Sequence, residues 1–218
     1  MSYLNFGKKN ILLTDFEEII NSYNDGYVFV RSERGLMEKV RSVRVNLEKF
    51  ELSSENRRVL KKFDHEIELN DIPFEKYSWE IIKKAKDFYD NKFGKDTFSA
   101  NKIKEIFTTA NNNFNSVLTF KKHENTDGYC ICYSLNGNIA HYAYPFYDLS
   151  LLNTSFGMFM MTLSIVFFKN KGYKYVYLGS YHDRKSFYKF QFKGIEWFDE
   201  NINSWSDDIQ RAKSLFTE

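Results

Sequence analysis

Hydrophobic positions along the chain change their period twice, from helical spacing to alternation and then to a buried α/β pattern. Trp79–Phe93 sets Ile82, Ala85, Phe88 and Tyr89 on one stripe, the spacing of an amphipathic helix. An earlier helix is predicted from Thr14, where a hydroxyl cap is followed by Glu17 three residues on. A basic helix is expected over Glu55–Phe63 behind Ser53 and Ser54, and a short one over Asn101–Ala110. Tyr27–Val30 reads as a short strand. Val40–Leu47 alternates, which predicts a half-exposed strand with its arginines turned outward. From Ser116 the period becomes two, giving three antiparallel strands at Ser116–Lys122, Gly128–Ser134 and Ile139–Tyr147, with Asn136-Gly137 as a hairpin signal. Ser155–Asn170 is apolar on every side and ends before Gly172, as a buried helix with a glycine cap would. Tyr173–Leu178 follows as a strand buried on both faces. A short helix at Asp183–Phe190, a strand at Ile195–Phe198 and a helix at Ser206–Phe216 complete the pattern.

A three-stranded meander, a helix and a further strand are the order found in GNAT-type acyltransferases. The expectation is an α/β (α+β) chain with a GNAT-like fold, a mixed central sheet flanked by helices. Residues 1–93 would form an N-terminal α/β region with a basic strand and helix, and residues 94–218 the catalytic core. With 218 residues and 43% hydrophobic composition, the chain can bury one large core or two small ones.

Charge changes the picture in one place. Between Arg31 and Lys62 stand ten basic residues against five acidic ones, a local balance of +5 in a chain whose net charge is +2. A phosphate-contacting surface requires such asymmetry, and a solvated helix and strand face accounts for it equally. The two cysteines, Cys130 and Cys132, share one face of a strand with no His or Cys pair nearby, so no zinc site is expected and they read as core residues of a reducing compartment. The N-terminus lacks the pattern of a secretory leader, and the apolar run Phe156–Phe168 is too short to span a bilayer. These features predict a soluble, cytoplasmic protein that does not engage a membrane.

Two loops could carry chemistry. Asp148–Ser155 leads into the buried helix, whose first N–H groups favour an anion; Thr154 or Ser155 could cap it and Gly157 could let a ligand approach. An ordinary helix cap explains the same residues. A CoA-binding turn on this fold usually reads Gln/Arg-x-x-Gly-x-Gly/Ala, and Leu152-Asn153-Thr154-Ser155-Phe156-Gly157 offers one glycine and no basic residue. The second loop, Gly179–Lys185, follows the strand beside which an acceptor cleft forms in GNAT folds. His182 could serve there as a base, although a His beside an Asp is commonly a surface pair. His65, His123 and His141 show no catalytic spacing. Tyr144, Tyr147, Tyr181 and Tyr188 could stack a base or simply pack the core.

Several segments in order resemble one family. Arg44-Val45-Asn46-Leu47 through Phe50 and Ser53 to Asn56-Arg57-Arg58 is similar to the Arg-Val/Leu…Phe…Ser…Gln-Arg-Arg segment of arginyl-tRNA–protein transferases. Tyr147-Asp148 with Ser155-Phe156-Gly157 resembles their Tyr-Asp…Ser-Leu-Gly. Tyr177-Leu178-Gly179 with Tyr181, and Tyr188-Lys189 with Phe192, resemble their Tyr-Leu-Gly-Tyr and Tyr-Lys-x-x-Phe. The resemblance implies transfer of arginine, or leucine as in the bacterial leucyltransferases, from aminoacyl-tRNA to an acceptor protein's N-terminus, with the tRNA as co-substrate and no further cofactor. It implies that Arg44, Arg57 and Arg58 contact tRNA and that Thr154, Ser155 and Gly157 lie at the donor loop. Tyr181, Tyr188 and Lys189 would line the acceptor cleft, and Asp148 would be a base, an amine-orienting group or a structural cap. Two departures stand out: Arg31–Val43 lacks the family's cysteines, and Arg184-Lys185-Ser186-Phe187 replaces its Lys-Met. An acyl-CoA-dependent N-acetyltransferase and a noncatalytic tRNA- or protein-binding relative are the alternative readings.

Overall fold

A computed structural model describes residues 5–135 and 137–216. Asn136, the first half of the hairpin signal, lies outside the described residues; next to it Gly137 has φ 72° and the Asn138 N–H donates to the Leu135 carbonyl at 3.0 Å. The chain is a mixed α/β fold whose large sheet has the strand order β11-β10-β4-β9-β8-β7-β6-β5, and it divides into two compact units. One unit comprises Met1–Ser53, Leu135–His141 and Phe168–Glu218; the other comprises Ser54–Ser134 and Tyr142–Phe167. Each therefore draws on sequence from both sides of residue 93.

The first unit opens with β1 (Gly7–Asn10), α1 (Phe16–Asn24), β2 (Tyr27–Phe29), β3 (Leu36–Lys39) and β4 (Ser42–Asn46). Strands β1, β3 and β2 form a small antiparallel sheet of their own. Asp15 rather than Thr14 caps α1, accepting the Glu18 N–H at 3.0 Å. The second unit holds α2 (Ser54–Lys61), β5 (Glu66–Asp71), α3 (Trp79–Phe93), α4 (Ala100–Thr108), β6 (Ser116–Lys122) and β7 (Asn125–Leu135, all but its last residue). Strand β8 (Ile139–Tyr147) and the apolar helix α5 (Phe156–Asn170) run through both units. The first unit closes with β9 (Tyr175–Ser180), β10 (Ile195–Asp199), β11 (Ser204–Ser206) and α6 (Ile209–Ser214).

The meander–helix–strand order is present, as the GNAT-like reading expects. Strand β9 runs parallel to β8 over the pairs Ile139–Tyr175, Ala140–Val176 and His141–Tyr177, where the pairing stops. A helix as apolar as α5 must satisfy its own polar residues, and Thr162 and Ser164 bond back to the Met158 and Met160 carbonyls at 2.7 and 2.8 Å. Gly172 ends that segment in the left-handed region at φ 78°, with the Tyr173 N–H on the Phe168 carbonyl at 3.1 Å.

Two expectations are corrected. Strand β4 is not half exposed: it lies between β9 and β10, and all but its last residue are buried. The C-terminal helix is shorter than Ser206–Phe216, because Ser206 belongs to β11 and Asp208 caps α6. The short helix expected at Asp183–Phe190 is present as a 3-10 segment, Arg184–Gln191.

Candidate functional site

In the second unit, the turn between β8 and α5 is held by its own backbone and side chains and by two lysines, Lys62 and Lys84. The Asp148 N–H donates to the Asp127 carbonyl at 2.9 Å. Its carboxylate caps a 3-10 turn, Leu149–Leu151, accepting the Ser150 N–H at 3.0 Å and the Ser150 hydroxyl at 2.8 Å. Those bonds, the hydroxyl's above all, hold Asp148 below the usual carboxylate range, so it is a stable anion and a weak base. The Thr154 hydroxyl donates to the Leu151 carbonyl at 2.6 Å. Ser155 is exposed, sits at φ 68°, and gives its carbonyl to the Met158 and Phe159 N–H groups at the start of α5. Gly157 makes room for protein: a Cβ there would stand 3.1 Å from the Tyr147 hydroxyl oxygen.

Basic helix α2 meets this turn. Lys62, just past its end, donates from Nζ to the Thr154 carbonyl at 2.7 Å. Arg57, Arg58, Lys61 and Lys62 are all exposed, while Asn56 and Val59 face inward. Arg58 grips Glu55 through two bonds of 2.6 and 2.7 Å. Close by in sequence, His65 Nε2 pairs with Asp127 at 2.9 Å among Phe63, Phe156 and Phe159, and its Nδ1 is buried without a hydrogen-bond partner. Sequence reasoning passed over this pair because its members stand 62 positions apart, with no motif to join them.

In the first unit, Lys189 is the residue with an unusual environment. It lies in the 3-10 segment that Asp183 caps by accepting the Ser186 N–H at 3.0 Å. Only 9% of it is exposed, and its ammonium donates to the Ser180 carbonyl at 2.6 Å. Among the described residues it forms no ion pair. Burial lowers its pKa to about 8. Gly179 turns the chain beside it at φ 75°, and a Cβ there would stand 3.7 Å from the Lys189 Nζ. Tyr188, its sequence neighbour, is half exposed at 47%.

Two residues assigned to binding lie in the core instead. Arg44 does not point outward. It is 7% exposed, its guanidinium 3.9 Å from the Tyr175 ring centroid and 3.8 Å from that of Trp205, with a 2.8 Å bond to Glu196. Both faces of β4 are covered, so this arginine cannot reach a phosphate. Tyr181 does not line an open cleft: it is 1% exposed and packs edge-on against Phe190, Trp197 and Phe216. His182 and Asp183 stand 3.8 Å apart and both are partly exposed. Cys130 and Cys132 are free, buried thiols with 3.7 Å between sulfurs. No group of three or more potential metal ligands is gathered among the described residues.

No family model matches the sequence, and no curated protein matches it. Solved structures give loose likenesses. L-PGS from Bacillus licheniformis aligns at 13% identity over 75% of this chain and 51% of its own, with a TM-score of 0.48. The C-terminal domain of a provisionally assigned lysylphosphatidylglycerol synthetase from Agrobacterium fabrum aligns at 14% identity over 65% and 46%, with a TM-score of 0.45. A meticillin-resistant Staphylococcus aureus protein of unknown function, described as a candidate acetyltransferase, aligns at 10% identity over 53% and 76%, with a TM-score of 0.31. The chain spans about half the length of the first two. At such scores the likenesses do not fix the chemistry of this chain, and none of the three is described as an arginyl-tRNA–protein transferase.

Proposed function

We propose that this chain is an aminoacyltransferase that takes an amino acid from a charged tRNA and passes it to an amine of an acceptor protein or peptide. The observation that carries the reading is the Lys62–Thr154 bond, which places the exposed cations of α2 against the turn before α5. A polyanionic donor needs such an arrangement, a phosphate-holding face beside the place where its acyl end is received. A CoA donor finds less support, because the turn has no basic residue of its own and the space above Gly157 is taken by Tyr147.

In the reaction, a neutral amine attacks the ester carbonyl at the tRNA 3′ end. The carbonyl oxygen becomes an oxyanion, the amine loses a proton, and the ribose hydroxyl leaves with one. Lys189, buried with its ammonium on the Ser180 carbonyl, is a positioning residue that holds the turn at Gly179 and Ser180. Asp148, kept ionised by Ser150, orders the donor turn or orients the incoming amine. Tyr188 is sufficiently exposed to touch an acceptor.

The test is transfer of labelled amino acids from a mixed aminoacyl-tRNA pool to peptides beginning with Asp, Glu, Lys or Ala, with labelled acetyl-CoA run in parallel. Label reaching peptide from tRNA, and lost when Arg57 and Arg58 are both changed to Gln, is the expected result. Label from acetyl-CoA alone would overturn the choice of donor, and label from neither would overturn the assignment.

A further inference from the structure

We propose that a cleft between the start of α3 and the face of β5, β6 and β7 binds a small, multiply charged anion bearing phosphate or paired carboxylates. The cleft does not rest on the aminoacyl-transfer reading and shares no lining residue with the donor turn, although Lys84 stands 3.7 Å from Asp148. Its volume is about 220 Å³, below the usual range for drug-sized ligands and far too small for a polynucleotide. Three lysines line it, Lys76, Lys84 and Lys121, against one carboxylate, Glu80.

The carboxylates at and around this cleft are already engaged. Glu80 is bonded to the Ser78 hydroxyl and to its own backbone N–H, as a helix-start carboxylate commonly is. Glu68 bonds Lys121 from outside the lining, and Asp148, 3.7 Å from Lys84, accepts the Ser150 N–H and hydroxyl. The lysines retain donors. Lys84 gives one N–H to the Thr126 carbonyl at 2.9 Å, and Lys76 forms no ion pair among the described residues. Thr119, 2% exposed, lines the same cleft and accepts the Asn70 amide at 3.2 Å, which leaves its own hydroxyl hydrogen to donate. Lys76, which has no carboxylate partner among the described residues, and the Thr119 hydroxyl line the same small volume as Lys84 and Lys121, and together they suit charge-assisted bonds to an anion. Phe74 and Ile81 supply an apolar wall for the carbon part of such a ligand.

The test titrates the full, 15N-labelled chain with inorganic pyrophosphate and, separately, with succinate at constant ionic strength, following the amides of Thr119, Lys121 and Thr126. Saturable shifts at these amides are expected, and the tighter of the two probes identifies the ligand class. Lys76→Gln removes an exposed side chain with no ion pair to lose, so the fold persists, and it should weaken binding at least about fivefold. The Arg57→Gln/Arg58→Gln variant should bind both probes like the wild type, which separates this site from the tRNA surface. Shifts that stay linear to about 20 mM, or an affinity unchanged in Lys76→Gln, would overturn the proposal.

Discussion

A buried ammonium with one hydrogen bond is costly to keep, and Lys189 shows where that cost appears. Its folded pKa of about 8 lies below the ordinary 10.5, so burial penalises the charged form. The penalty is complete below pH 8, shrinks between pH 8 and 10.5, and vanishes above, where the side chain is neutral folded or unfolded. Lys189→Met, which keeps the volume and removes the charge, should therefore stabilise the protein at pH 7 by an amount on the order of 3 kcal/mol or less. Aminoacyl transfer should fall at the same time. Urea unfolding at pH 7 and pH 10 checks it: a gain of equal size at both would mean that charge burial is not the cause. The chemical residues were only partly legible at this scale. Lys189 could be picked out beside Tyr188, since both stand in a recognisable pattern. The burial of Arg44 could not, because Glu196, which holds it, comes 152 positions later. Period two tells which face of a strand a residue occupies, and says nothing about whether that face is covered.

Helix α2 is the element on which the donor assignment rests. Counterion release makes each phosphate contact visible as salt dependence. Replacing Arg57 and Arg58 by Gln should lower the slope of log K against log salt for tRNA binding by about 1.5. Arg58 is also exposed, with Glu55 as its ion-pair partner among the described residues, so folding should change little. Arg44→Ala provides the opposite signature. It strips the closest partner from Glu196, with Lys49 remaining at 3.7 Å, and should cost about 2–4 kcal/mol in unfolding while the salt slope stays put. A slope that moved with Arg44 and not with Arg57 and Arg58 would reverse the picture. Elements of strong period were legible to the residue: Trp79–Phe93, Ser116–Lys122 and Ile139–Tyr147 occur as expected. Strands β1 and β11 were not, because Gly-Lys-Lys-Asn and Ser-Trp-Ser have little intrinsic strand preference and exist through their pairing with β3 and β10.

At the scale of the whole chain, stability as a function of pH follows from two buried groups in one unit. His141 is the last residue of β8 in the first unit, 3% exposed, with its Nδ1 3.0 Å from the Tyr23 hydroxyl and its ring edge-on to Tyr23. Burial, reinforced by the charge of Lys189, lowers its pKa from 6.5 to about 3. Between those values the unfolded chain takes up a proton that the folded chain refuses. Stability is therefore complete above pH 6.5 and declines as pH falls toward 3, by up to about 1.4 kcal/mol per pH unit from this group alone. Lys189 acts in a separate window, adding stability between pH 8 and 10.5. Wild type and His141→Gln can be compared by urea unfolding at pH 7, 6, 5 and 4, with the variant keeping a side chain able to bond Tyr23. The variant should start less stable and lose stability more slowly on acidification, by close to one proton's worth of slope. Parallel curves for the two proteins would place the acid-sensitive proton elsewhere, and would also remove the main support for a neutral His141 held beside the charged Lys189.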